Sequence, residues 1–188
     1  EQWQGNRNPF VDDHLLANRV AWIATPTLSI EAPTPTLSIE APTPVPFISR
    51  IHYQNVGRDI NEGFSIVVPV GFPLDTLSVY LYNGGSGCVY RRIRSGQLRM
   101  AAGRGVSDTI EYYAEVTLQN GPADALALVC GGRTVEFLSY DGVVVACTGP
   151  CEGMESVDIV VKERSDAAAS SFLHRPRACD PWIIRLRN

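Results

Sequence analysis

From Phe47 onward, apolar positions recur in short apolar or alternating runs, with turn residues between them. FISRIHYQ (47–54), FSIVVPV (64–70), LSVYLYN (77–83) and CVYRRIR (88–94) come first. IEYYAEVTL (110–118), ALALVC (125–130), TVEFLSY (134–140) and SVDIVV (156–161) follow. Between them stand Asn55-Val56-Gly57, Asn83-Gly84-Gly85, Asn120-Gly121-Pro122, Gly131-Gly132 and Asp141-Gly142, each a turn signal. β-branched and aromatic runs at roughly ten-residue spacing predict an all-β sandwich. Mid-strand Leu81 and Phe137 are its expected core anchors, with Val135, Phe137 and Ser139 sharing one face. The one predicted helix is Val11 to Ala21, opening at Asp12 or Asp13.

Upstream the pattern breaks. TPTLSIEAP fills 25–33 and again 34–42, and Thr43-Pro44 begins a third copy. Prolines at 26, 33, 35, 42, 44 and 46 exclude a helix or a central strand. Residues 25–46 therefore read as an extended Pro/Thr-rich linker, able to span about 70 Å at ~3.1 Å per residue. Residues 1–24 are too few to fold alone, yet they hold Trp3, Phe10 and Trp22. They read as the closing remnant of a larger domain. The chain opens at Glu1, inside what reads as a continuing sequence, and is expected to be a piece of a longer protein. Three segments result: 1–24, 25–46 and 47–188.

With 45% hydrophobic and 19% charged residues in 188, a sizeable core can form, and no apolar run is long enough for a membrane-spanning helix. The net charge of −4 makes no global case for a polyanionic partner. Locally the balance inverts: Thr76 to Ser107 holds Arg91, Arg92, Arg94, Arg99 and Arg104 and no acid. Strand alternation puts Arg92 and Arg94 on one face and Arg91 with Ile93 on the other. These arginines are the candidate polyanion-binding residues, with nucleic acid held weakly as the expected partner; the plainer reading is a solvated face.

Of the five cysteines, Cys88 and Cys130 read as small buried hydrophobes, and Cys147 and Cys151 as a possible disulfide in an oxidising compartment. His52 reads as structural or surface. Glu62, Asp124, Glu136 and Asp158 fall at polar strand-end positions, and no metal site is assigned. Gly84-Gly85-Ser86-Gly87 has no helix after it and is a hairpin turn rather than a phosphate loop.

Two resemblances follow from particular residues. Ile51-His52-Tyr53-Gln54-Asn55 with Gly57, Asp59, Glu62 and Phe64, then Leu81-Tyr82-Asn83-Gly84, Asn120 to Asp124 and Val135 to Tyr140, resemble the lamin-tail domain over about 47–161. The resemblance implies an immunoglobulin-like sandwich that binds or anchors and has no catalysis of its own. The closing strand departs from that pattern, and Phe172-Leu173-His174-Arg175 is its candidate replacement. Gln4-Gly5-Asn6-Arg7-Asn8-Pro9-Phe10, within about 2–14, resembles the closing segment of the bacterial endonuclease I family. That family implies an exported nuclease without sequence preference, using a divalent cation (Mg or Ca) and a histidine base in a domain not included here. His14 follows the motif and is not a candidate base. No catalytic residue is assigned to this chain. Arg7 with Asn6 and Asn8 either reaches a phosphate or pins the chain end. A secreted or cell-surface location, with a surface or matrix component as a further partner, is expected. The alternative is a stand-alone lamin-tail interaction or adhesion module.

Overall fold

The computed structural model describes residues 45–101 and 108–186. The helix expected at Val11–Ala21, the repeat up to Pro44, the Gln4–Phe10 motif and Arg104 lie outside those residues.

Eleven strands are placed: β1 (Phe47–His52), β2 (Gly63–Pro69), β3 (Leu77–Tyr82), β4 (Val89–Arg94), β5 (Arg99–Met100) and β6 (Thr109–Glu115), then β7 (Ala125–Cys130), β8 (Arg133–Ser139), β9 (Val157–Asp158), β10 (Ser171–His174) and β11 (Ile183–Leu186). They form two sheets, ordered β11-β10-β1-β2-β6-β5 and β4-β3-β7-β8-β9. Every pairing is antiparallel except β8 with β9. The eight sequence runs all contribute, and two strands join them late. β10 pairs with β1 and buries Leu173, so Phe172–His174 supplies a strand, and β11 continues the sheet to Leu186.

Alternation explains the main core, with a register shift between Ile48 and Arg50 that brings both Ile48 and Ile51 inward. Ile48, Ile51, Phe64, Ile66 and Val68 of one sheet face Val79, Leu81, Leu126, Leu128 and Leu138 of the other. At about 1.5–3 kcal/mol for each large side chain taken from water, this interface is the main stabilising term. The opposite parity of the second sheet is buried as well. Tyr82, Ala125, Ala127, Val129 and Phe137 lie beneath Val144, Ala146 and Cys151 of a hairpin that folds over the outer face. Phe137 is thus buried as expected, but in this outer core. Leu128 faces Glu136 and Val129 faces Thr134, leaving Val135 as a bulge. The extra residue turns Val135 to the inter-sheet core, so it does not share a face with Phe137.

The bulge also aims Glu136 at the facing sheet. Its carboxylate accepts the Ile48 N–H at 2.8 Å and the Arg175 guanidinium. Arg175 donates in addition to the carbonyls of Ile48 (2.9 Å) and Ala178 (2.6 Å) and stacks on Trp182 with its guanidinium carbon 4.9 Å from the ring centroid. One buried ion pair therefore ties β1, β8 and the C-terminal chain together.

The cysteine pairing corrects the sequence reading. Cys88 is not a buried apolar residue; it is bonded to Cys147, with Cα atoms 5.2 Å apart. Cys151 is a buried free thiol, so it does not pair with Cys147. Cross-linking residues 59 apart is worth about 4 kcal/mol by loop-closure entropy.

Arg175→Ala should cost about 3–5 kcal/mol in urea unfolding, because it strands the Glu136 charge in the interior. Exposed Arg133→Ala should change stability by less than about 0.5 kcal/mol.

Candidate functional site: a basic edge beside an acidic groove

β4 is an edge strand with β3 as its one neighbour in the sheet. Its register sets Tyr80 against Arg92, Val79 against Ile93 and Ser78 against Arg94. Ile93 goes to the core, so Arg92 and Arg94 share the outer face, as alternation requires. Arg91 has the parity of Ile93, yet it is exposed at the open rim of the sandwich.

A 3-10 turn, Ser95–Gln97, carries the chain from β4 in one sheet to β5, the edge of the other. It is shaped locally by Gln97, whose side-chain oxygen accepts the Arg94 N–H at 2.9 Å. Arg91, Arg92, Arg94 and Arg99 therefore collect on one lateral edge. Arg104 belongs to the residues not described.

The arginines differ in their surroundings. Arg99 lies 3.8 Å from Glu115, an exposed pair worth little in water. Arg91, Arg92 and Arg94 have no carboxylate partner among the described residues. Arg92 sits 5.1 Å from the Tyr80 ring centroid, over its face, and reaches Ser78 Oγ at 3.5 Å. That contact limits its wandering without neutralising it. Arg92 and Arg94 are offset by two strand positions, about 6.8 Å. Guanidinium forks at that spacing can each take a separate phosphate or sulfate group in bidentate fashion.

Near the N-terminal end of β2, the chemistry reverses. Asp59, Glu62 and Glu115 line an open groove. Burial holds the Glu62 carboxyl up at about 7, and nearby Asp59 adds to the rise; His52 and the Leu118 N–H oppose it. Among the described residues no group of three or more His, Cys, Asp or Glu is placed to hold a metal ion.

Behind this groove lies a buried polar network. His52 is fully buried, and its Nδ1 meets Glu163 at 2.7 Å. Glu163 also accepts the N–H groups of Tyr53 (2.7 Å) and Gln54 (2.8 Å), while its own N–H donates to the Tyr53 hydroxyl. The hydroxyl donates onward to Asp141 at 2.9 Å, and burial pushes its ionisation far up. His52 is thus structural, and no surface role remains for it.

Asp124 likewise serves the fold, accepting the N–H groups of Gly84 and Gly121, both at 2.7 Å. Gly84 approaches Pro122 so closely that a Cβ would lie 2.1 Å from its carbonyl oxygen, which fixes glycine in this hairpin turn. Glu136 belongs to the Arg175 clamp, and Asp158 caps its own turn through Val160 N at 2.9 Å. Sequence reasoning identified the arginines. It did not find Tyr80 and Ser78 as supports, whose signal was their parity on the neighbouring strand. The Cys88–Cys147 bond at the entrance to β4 left no signal in spacing.

No family model, curated protein or solved structure matches the chain.

Glu62 gives the site a pH signature. Its folded pKa of about 7 exceeds its ordinary value of 4.5, so the folded state binds the extra proton. The associated stability is full below pH ~4.5 and is lost as pH rises through about 7. Glu62→Gln should remove that decline, measured by urea unfolding from pH 5 to 8. A parallel decline in the variant would assign it to another group.

Proposed function

We propose that this chain is the C-terminal portion of an exported, sequence-nonspecific endonuclease I-like nuclease. In this reading, the sandwich is a non-catalytic lamin-tail-type domain of immunoglobulin-like form that keeps the enzyme near polyanionic substrate. The observation that carries it is the edge formed by Arg91, Arg92 and Arg94, three guanidinium groups without carboxylate partners among the described residues. The disulfide supports an oxidising compartment, in keeping with export. Gln4 to Phe10 supplies the link to a nuclease, and the divalent cation belongs to that domain.

Physically, the requirements on such a tether are modest. The net charge of −4 opposes a polyanion at long range, while salt screens that repulsion beyond about 8–10 Å. A local row of arginines then sets the contact energy, and modest affinity suffices because the linked enzyme sees a raised substrate concentration.

The purified chain should not nick plasmid DNA in magnesium or calcium; chelator-sensitive cleavage would contradict the assignment. A His-containing ββα-metal motif in the reading frame upstream of Glu1 would distinguish the nuclease reading from a stand-alone adhesion module.

Binding to single-stranded and duplex DNA should be weak and salt-sensitive. Joint Arg92→Ala and Arg94→Ala substitution should lower the slope of log K against log salt by about one per arginine. Equal binding by variant and wild type, or none at low salt, removes the polyanion role.

A further inference from the structure

The entrance to β4 is weakly built as a strand. Tyr82 pairs with Val89 and Leu81 with Arg91, so Tyr90 bulges out and the ladder is interrupted one residue into the strand. No second neighbour supports it, since β4 ends its sheet. The β3–β4 turn contributes the bonds from Asn83 N–H to Cys88 O (3.0 Å) and from Gly87 N–H to Asn83 O (2.8 Å), and three further links come from outside the sheet. Cys88, immediately before Val89, is bonded to Cys147. Val89 N–H donates to Thr148 Oγ1 at 3.0 Å, and Cys147 N–H donates to the Gly87 carbonyl at 2.8 Å.

All three links run to the hairpin that covers the outer core, closed by Ala146 N–H to Met154 O (2.9 Å) and Ser156 N–H to Val144 O (2.9 Å). The two parts meet closely. A Cβ on Gly87 would lie 2.2 Å from the Val145 carbonyl oxygen, and one on Gly149 2.7 Å from a Val89 methyl. Both glycines also have positive φ.

We infer that the Cys88–Cys147 disulfide is a redox-sensitive strap that keeps the arginine-bearing edge strand in register. This rests on the polyanion reading above and adds its regulation. When the bond is intact, β4 is fixed at both ends: by the strap at Cys88 and by the Ser95–Gln97 turn after Arg94. Arg91, Arg92 and Arg94 then hold their spacing before any ligand arrives, so binding does not have to order them.

A small dithiol opens the strap. One thiolate attacks a sulfur of the protein disulfide, and the second displaces the mixed disulfide. Cys88 and Cys147 leave as thiols with two electrons and two protons gained, and the reductant becomes a cyclic disulfide. The entrance to β4 then depends on the two hydrogen bonds to the hairpin, the Asn83 N–H to Cys88 carbonyl bond of its own turn (3.0 Å) and an interrupted ladder. It frays up to the Tyr90 bulge, and the hairpin over the outer core loosens with it. Cys151, a hairpin residue whose side chain is fully buried against the outer core, becomes accessible.

The test uses the whole chain, oxidised, reduced by a small dithiol, and as the Cys88→Ser/Cys147→Ser variant. Hydrogen exchange is followed by strand, Cys151 alkylation by peptide mass, and binding to a single-stranded oligodeoxynucleotide at low salt. Loss of the bond should speed exchange at 88–94 and 143–147 by about tenfold while β2, β6 and β7 keep their protection. It should expose Cys151 and weaken oligonucleotide binding about fivefold.

A uniform loss of protection, including outright unfolding, overturns the local strap; so does unchanged exchange at 88–94. Fraying with unchanged affinity overturns the gating. If the oxidised chain binds no oligonucleotide, the polyanion reading fails, while exchange and Cys151 alkylation still decide whether the strap exists.

Discussion

Strand β1 depends on carboxylates at both its ends, one half-buried and one buried. Near its start, the Ile48 N–H meets Glu136; just past its end, the N–H groups of Tyr53 and Gln54 meet Glu163. Each carboxylate also has a side-chain nitrogen partner: Arg175 from the C-terminal chain for Glu136, and the ring of His52, the last residue of β1, for Glu163. An interior carboxylate is costly to bury unless its oxygens are satisfied on several sides. Here the satisfying groups lie 39 to 111 residues away in sequence. The arrangement can form only when β1, β8, the chain around 163 and the C-terminal chain are in place together. The clamps therefore reward assembly of the sandwich as a unit, beyond what burial of Ile48 and Ile51 provides.

Polar interactions are distributed unevenly over the remaining surface. Acidic side chains concentrate beside the start of β2 and in the clamps, while β4 contains arginine and no acid. Since Glu136, Glu163 and Asp124 are occupied by backbone and side-chain donors, the β4 arginines gain no neutralising partner from them. Their positive potential is in part a consequence of how the fold uses its acids.

The strands were legible because the eight runs are short, apolar or alternating, and set off by turn residues, and Leu81 in the inter-sheet core follows from the alternation of its run. Two kinds of feature escaped. The Val135 bulge shifts parity by one residue without altering composition, so Phe137 and Val135 part company though alternation joins them. The disulfide and the clamps join residues far apart in sequence, where spacing carries no information; Cys88 could equally pair or stay buried until β3, β4 and the covering hairpin were placed. The arginine row itself was legible from composition. Its lack of carboxylate partners among the described residues was not, since that depends on where Glu115, Glu136 and Glu163 end up.

The two lateral edges of the sandwich show why the arginines matter even without a ligand. An edge strand exposes unpaired N–H and C=O groups, and charge is a common device for discouraging another strand from adding there. β4 has Arg91, Arg92 and Arg94 on such an edge. β11, at the far end of the other sheet, has Arg185 among Ile183, Ile184 and Leu186, which are 44%, 52% and 67% exposed. On β4, a second strand would have to desolvate three guanidinium groups, whereas a polyanion offers them partners that keep them charge-paired. The same side chains thus discourage strand addition, and on the proposed reading they also suit a polyanion. This selectivity depends on β4 remaining a regular strand, because a frayed edge presents neither an ordered charge row nor an ordered hydrogen-bond ladder.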